Sequence, residues 1–403
     1  MKRNLKIPLS FLALLASACF DETDITSVQS ESFMKYYNNY SVFSGADVKQ
    51  TPSTGYALLG TVEVPDGLTQ ICLIRTDAYG NLIDSARYYG RGMNARAYCL
   101  QLLPDGGYAI LGSSKDQVTG MLQILFIRTD KDGTPIWTST IKNPKGGNME
   151  ARHFVVDALG SFIMTGYAQS SNLNNNKEVL IAALDENGDP LFWSPSITPS
   201  VKDDEGRYIQ IVNDNYYVIT GTTKTYPLGT LYSHSFVMLT NTTGIPPGIL
   251  VLDATTDEEG NCIRIIDDSN FLVLGTVKNT ANGTGTDILL QKVSRSGVNL
   301  SQQWEKTYGG SGNDYGQCIL AENGSIQILG TMTTTGNNTA ISMIFTDGEG
   351  NNPKYFTFGL GTQLSGTSFE KTYDNGFIIS GTNKLSDNSV SFTLIKTRAD
   401  GSL

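Results

Sequence analysis

The feature that most constrains this chain is a repeat. Aligned on a shared glycine, the segments GYALLGT, GYAILGS, SFIMTGY, YYVITGT, FLVLGTV, IQILGTM and FIISGTN place that residue at Gly60, Gly112, Gly166, Gly221, Gly275, Gly330 and Gly381, at intervals of 51 to 55 residues. Self-similarity at such a period marks a repeat architecture, in which each copy buries its apolar faces only against its neighbours. Every copy holds the same parts: the glycine segment, a polar loop of variable length, an apolar run such as QILFIRTD or EVLIAALD, a turn, and a further run that often carries Trp or Tyr. The turns also align. Asp77, Asp130, Asp185, Asn241, Ser294, Asp347 and Arg398 stand three residues before Gly80, Gly133, Gly188, Gly244, Gly297, Gly350 and Gly401. Asp or Asn at the first position bonds the backbone ahead, and Gly at the fourth takes φ > 0, so each reads as a type I hairpin turn. The calcium-like DKDG lacks the further oxygen ligands and the twelfth-position Glu of an EF-hand.

Four strands per unit and seven units predict an all-β fold, a seven-bladed β-propeller of four-stranded antiparallel blades. A solenoid is the alternative, but it needs polar caps at its ends. The last copy, ending SFTLIKTRADGSL, supplies three strands and a turn and then stops. Residues 33–40, FMKYYNNY, lie 20 to 27 positions before Gly60, the offset at which QWEKTYGG precedes Gly330 and PKYFTFG precedes Gly381. The N-terminal segment is therefore expected to close the ring as the outer strand of the seventh blade. Composition agrees, since 42 Gly, 19 Tyr and only 17% charged residues suit short strands and many turns.

The chain begins MKRNLKIPLSFLALLASACFDETD. A basic start, a short apolar run and small residues make a secretory signal, and the run is too short for a spanning helix. LASAC resembles the lipobox of bacterial lipoproteins, with Ala16 where that family usually has Leu. The resemblance implies a signal peptide over 1–18, a lipid on Cys19, a tether over 19–32 and the propeller over 33–403. An ordinary cleavage site beside a cysteine is the alternative. Acyl chains contribute about 0.8 kcal/mol per buried CH₂, so such an anchor would hold the protein on a membrane. Asp21, Glu22 and Asp24 resemble the acidic export tag of surface-exposed Bacteroidota-type lipoproteins, which implies an outer-membrane, cell-surface location.

The repeated units, for example WEKTYGGSGNDYGQCILAENGSIQILGT, resemble those of secreted and lipid-anchored bacterial β-propellers, and LDENGDPLFW is similar to repeats of quinoprotein-like propellers. The resemblance specifies a fold and leaves activity open, because propellers host enzymes, lectins and scaffolds alike.

Chemistry is sparse in the sequence. A net charge of −10, with no basic cluster beyond the N-terminus, argues against nucleic acid as a partner. His153, in ARHFVVDALG, is expected on an innermost strand facing the central channel or a neighbouring blade. His234 is expected on the solvated loop 222–234. Two lone histidines make neither a zinc site nor a triad, and the S-x-D-x-G-x-x-W boxes of sialidase-type propellers are absent. Cys72, Cys99, Cys262 and Cys318 show no disulfide framework or metal-ligand spacing and read as free buried thiols. Trp137, Trp193 and Trp304 fall on outer strands, where packing between blades is expected.

No catalytic residue, metal or cofactor is assigned. Topology places the loops between second and third strands (113–120, 167–177, 222–234, 276–286, 331–339) on the same face as the crossovers between blades (90–94, 145–148, 309–316). Irregular loops on a rigid scaffold are where binding residues collect. The candidates are Tyr226, Tyr232 and His234 on the longest loop, with Arg91 and Asp314 on crossovers. The expected function is a non-catalytic binding or scaffold propeller for a protein or glycan, monomeric or part of a membrane complex. The alternative is a hydrolase of polysaccharide or glycoconjugate whose carboxylates come from different blades.

Overall fold

Four β-rich runs separated by Asp-to-Gly turns fold each repeat into an antiparallel meander. The computed structural model describes residues 32–403 except 39, 171–175, 198–199, 201, 214, 226–230, 253–255, 280–284 and 388. Seven four-stranded sheets result, and the protein is a seven-bladed β-propeller. The innermost strands of blades 1 to 7 are Val42–Gln50, Arg96–Leu102, Met149–Val156, Glu205–Asn213, Glu258–Asp267, Tyr315–Glu322 and Leu364–Lys371. Among the described residues the only helical element is a 3₁₀ turn, Thr335–Asn337, and no helix is long and apolar enough to cross a membrane.

Why the repeat carries its glycine is visible at the innermost strand. Every one of these strands has a β-bulge at the same place, after Gly45, Ala97, Ala151, Gly206, Gly260, Gly316 and Gly366, each of which pairs with the repeat glycine of the second strand. A Cβ at Gly112, Gly166, Gly221 or Gly275 would lie 2.3, 2.0, 1.9 or 1.7 Å from the carbonyl oxygen of Arg96, Glu150, Glu205 or Glu259. The bulge drives that carbonyl toward the second strand, and only glycine leaves it room.

Second and third strands are buried on both faces because each blade is covered by two others. The third strands accordingly read as unbroken apolar runs, Ile71–Ile74, Ile124–Ile127 and Phe236–Leu239 among them. Packing between blades is aromatic where blades 2 and 3 meet. Phe126 lies 4.9 Å from Phe154 and 4.8 Å from Phe162, and Trp137 of the outer strand stacks on it at 5.9 Å. Trp137 donates its indole N–H to the carbonyl of Glu186 in the turn of blade 3, and Trp304 donates to Glu349 in the turn of blade 6. Trp137 and Trp304 thus join blades, as their outer-strand positions predict, whereas Trp193 donates to Met149 Sδ of its own blade at 3.3 Å.

The ring closes through the N-terminal strand. Phe33–Tyr37 pairs antiparallel with Val390–Thr397, in the register Phe33 to Lys396 through Tyr37 to Phe392, and completes blade 7. Tyr37 donates its hydroxyl to the Gly80 carbonyl of blade 1 at 2.8 Å, just as Tyr89 bonds Gly133 and Tyr308 bonds Gly350, each at 2.7 Å. The closing strand thus carries the same latch to the next blade as two outer strands elsewhere in the ring.

Six of the seven turns have the expected backbone bond, from the glycine N–H to the carbonyl of Asp77, Asp130, Asp185, Asn241, Asp347 or Arg398. Ser294 does not begin a turn. It lies within the strand Gly285–Ser296 and pairs with Ser301, so that hairpin reverses tightly at Gly297 and Val298.

Candidate functional site

Crossovers and second-to-third loops do share a face, because they bond one another. Lys115 N–H reaches the Met93 carbonyl at 2.7 Å, Gln169 N–H reaches that of Asn148 at 2.9 Å, and Asp314 N–H reaches that of Thr286 at 2.7 Å. The innermost strands start on this face, so one mouth of the central channel opens there.

The candidates divide. Tyr226 and Cys19 lie outside the described residues. Arg91 is exposed on its crossover, and Tyr232 is half-buried at the start of the strand Tyr232–Asn241. His234 is a correction: it is fully buried, paired with Thr223, because the strands of blade 4 extend well into the segment read as loop. Asp314, 1% exposed, is likewise buried. Its carboxylate accepts the N–H groups of Gly310 and Thr333, each at 2.8 Å, and so ties the crossover to the neighbouring loop. A buried carboxylate committed to backbone donors organises a loop and offers nothing to a ligand. His153 faces the channel as expected and stacks on Tyr208 of blade 4 at 3.6 Å; burial lowers its pKa to about 3, so it is neutral.

The chemistry at the mouth comes from residues that sequence reading passed over. In blades 2 to 5 the extra residue of the bulge reaches toward the next blade. In blade 2 that residue is Tyr98, whose hydroxyl donates to Glu150 of blade 3 at 2.6 Å. In blade 3 it is Arg152, whose Nε donates to Glu205 of blade 4 at 2.7 Å. In blade 4 it is Arg207, paired with Glu259 of blade 5 at 2.7 Å and bonded to Asn261. In blade 5 it is Asn261, which donates to the Gly316 carbonyl of blade 6 at 2.9 Å. A polar ladder therefore climbs around four blade interfaces. The tripeptides EAR (150–152), EGR (205–207) and EGN (259–261) would have revealed it, since they recur at the repeat period.

Burial falls along the ladder. Glu150 is buried and accepts a second phenol, Tyr167, at 2.7 Å. Arg152 lies 4.5 Å from the Tyr98 ring centroid, and Lys177 lies 4.0 Å from that of Tyr167 while pairing with Glu205 at 3.0 Å. Burial alone would raise the Glu205 carboxyl, but Arg152 and Lys177 outweigh it and hold its pKa at about 2. The same balance, with Arg152 and the two phenols as partners, leaves Glu150 below its ordinary range. At the open end Glu259 and Tyr315 are exposed, and Arg152, Glu205, Arg207, Glu259, Asn261 and Tyr315 help to line a cavity of about 480 Å³. Small-molecule sites run from about 300 to 1,000 Å³.

Such a surface offers fixed donors, acceptors and one aromatic face. Both inner carboxyls are held ionised by their cationic and phenolic partners. The channel below holds one carboxyl shifted the other way, Glu370, raised by burial although Lys49 and the Gln50 N–H engage it. Among the described residues no three His, Cys, Asp or Glu side chains are grouped to hold a metal ion.

No family model matches the chain, and no curated protein matches it. Solved structures do. YCF48 bound to D1 peptide superposes with a TM-score of 0.52 at 10% identity, over 91% of this chain and 96% of that one. The polysaccharide lyase Uly1 gives 0.52 at 9% identity, over 90% and 91%. The β-propeller domain of the Trilobed protease from Pyrococcus furiosus, which has an open velcro topology, gives 0.50 at 9%, over 90% and 96%. At such identities the likeness shows the propeller fold alone.

Proposed function

We propose that this protein is a non-catalytic binding propeller, held at the bacterial outer membrane by lipid on Cys19, that presents the channel mouth and surrounding loops to a protein or glycan. The observation that carries the reading is electrostatic. A glycoside hydrolase needs a carboxylic acid kept protonated near neutral pH, whereas the ladder drives Glu205 the opposite way, to about 2. Guanidinium, amide, carboxylate and phenol groups fixed around one polar cavity suit a hydroxyl-rich sugar or a polar peptide segment.

The double variant Arg207→Ala with Tyr315→Ala removes two lining groups at the open end. Captured on a glycan array, or by crosslinking to partners on intact cells, it should bind at least about tenfold more weakly than wild type, equivalent to about 1.4 kcal/mol. Unchanged capture would remove the mouth from consideration. Turnover of a polysaccharide by the wild type, abolished in Glu370→Gln, would replace binding with catalysis. For the anchor, Cys19→Ala should shift the protein from the membrane fraction to the soluble fraction or block its processing, and an unaltered distribution and processing would contradict lipidation.

A further inference from the structure

The residue that follows the bulge takes the same place in every blade and forms a ring around the channel: Asp47, Cys99, His153, Tyr208, Cys262, Cys318 and Ser368. Three neighbouring pairs in this ring touch. Ser368 donates to Asp47 at 2.7 Å, His153 stacks on Tyr208 at 3.6 Å, and Cys262 Sγ lies 3.8 Å from Cys318 Sγ. Two cysteines at successive places are therefore held sulfur to sulfur across the interface of blades 5 and 6, although they are 56 residues apart in the chain.

We propose that Cys262 and Cys318 are a redox-active dithiol that closes to a disulfide between blades when a small peroxide enters the channel. Cys318 lines a channel cavity of about 360 Å³, while Cys262 sits behind it, 1% exposed. That arrangement assigns their roles. Cys318 is the attacking thiol: its hydrogen bond with Cys262 holds it below the ordinary thiol range, while burial pushes Cys262 above. The Cys318 thiolate attacks one peroxide oxygen, the O–O bond breaks, and the departing hydroxide takes up the thiol proton as water. Cys262 then attacks the sulfenic sulfur of Cys318; the S–S bond forms, the S–O bond breaks, and hydroxide leaves with the Cys262 proton as a second water. The two sulfurs lose two electrons and the peroxide gains them. Closure needs the sulfurs to approach to about 2.05 Å, a short movement from contact distance. Cys99 has Asp47 and His153, not a cysteine, as its neighbours in the ring.

The test is peptide mapping of the folded full chain after hydrogen peroxide, with denaturation and alkylation of the remaining thiols. The expected product joins the Cys262 and Cys318 peptides, lighter by two hydrogen atoms, and is reversed by a phosphine, while Cys72 and Cys99 alkylate as before. Cys318→Ser should leave Cys262 alkylatable, and Cys262→Ser should leave Cys318 as a sulfenic acid that dimedone traps. If Cys262 and Cys318 of the wild type stay fully alkylatable after peroxide, with circular dichroism unchanged, or if Cys318 links to Cys99, the proposal is overturned. The wild-type map decides even if a serine variant fails to fold.

Discussion

A chain lacking residues 33–40 is expected to lose on the order of 5 kcal/mol or more of stability, which for a propeller of this size lowers the thermal midpoint by at least about 6 °C. The deletion removes the whole outer strand Phe33–Tyr37 from blade 7 and leaves the backbone of Val390–Thr397 as an unpaired edge. It also removes buried Tyr37, with its bond to the Gly80 carbonyl, and the edge contact of Phe33 with Tyr56 at 6.1 Å. Blades 7 and 1 then lose their latch. Thermal unfolding followed by circular dichroism measures the effect, and a synthetic peptide of residues 33–40 should restore part of it by adding its strand to the open edge. A deletion variant that melts with the wild type would show that ring closure by this strand contributes nothing.

The second large effect is expected at Glu205, whose side chain is 15% exposed and bonds Arg152 and Lys177 together. Its folded pKa of about 2 lies below the ordinary 4.5, so its ionised form stabilises the fold. That contribution, about 3 kcal/mol, is fully present above pH 4.5 and disappears as pH falls toward 2. Glu205→Gln should cost about 2 to 4 kcal/mol at pH 7, because two partly buried cations lose their countercharge. The same substitution should flatten the acid limb of stability between pH 4.5 and 2. Urea midpoints measured across that range give both results. If the variant and wild type lose stability in parallel as the pH falls, Glu205 is not the group responsible. Such a loss would be structural and would leave the Arg207 and Tyr315 binding test independent.

Some of this architecture was legible because it is periodic and local. The glycine marks the bulged partner strand, the spacing of three residues to a turn glycine marks six turns, four of them begun by Asp, and FMKYYNNY sits at the offset of an outer strand. Loop boundaries were less legible. Strands of blade 4 run on to Thr225 and resume at Tyr232, so His234 became a buried strand residue, since polar composition alone does not say where pairing stops. Asp314 looked like a free crossover carboxylate until its backbone partners on a neighbouring loop were visible.

The sequence by itself determined the blade count, the strand order and the segment that closes the ring, because hydrophobic period, turn chemistry and register are properties of contiguous residues. Only the tertiary structure decided which side chains meet at the channel. Tyr98 reaches Glu150 across 52 residues, Arg152 reaches Glu205 across 53, and Cys262 meets Cys318 across 56. Each is a contact one repeat away, made where a bulge turns a side chain toward the next blade, and such a contact exists only once seven blades are packed around one axis.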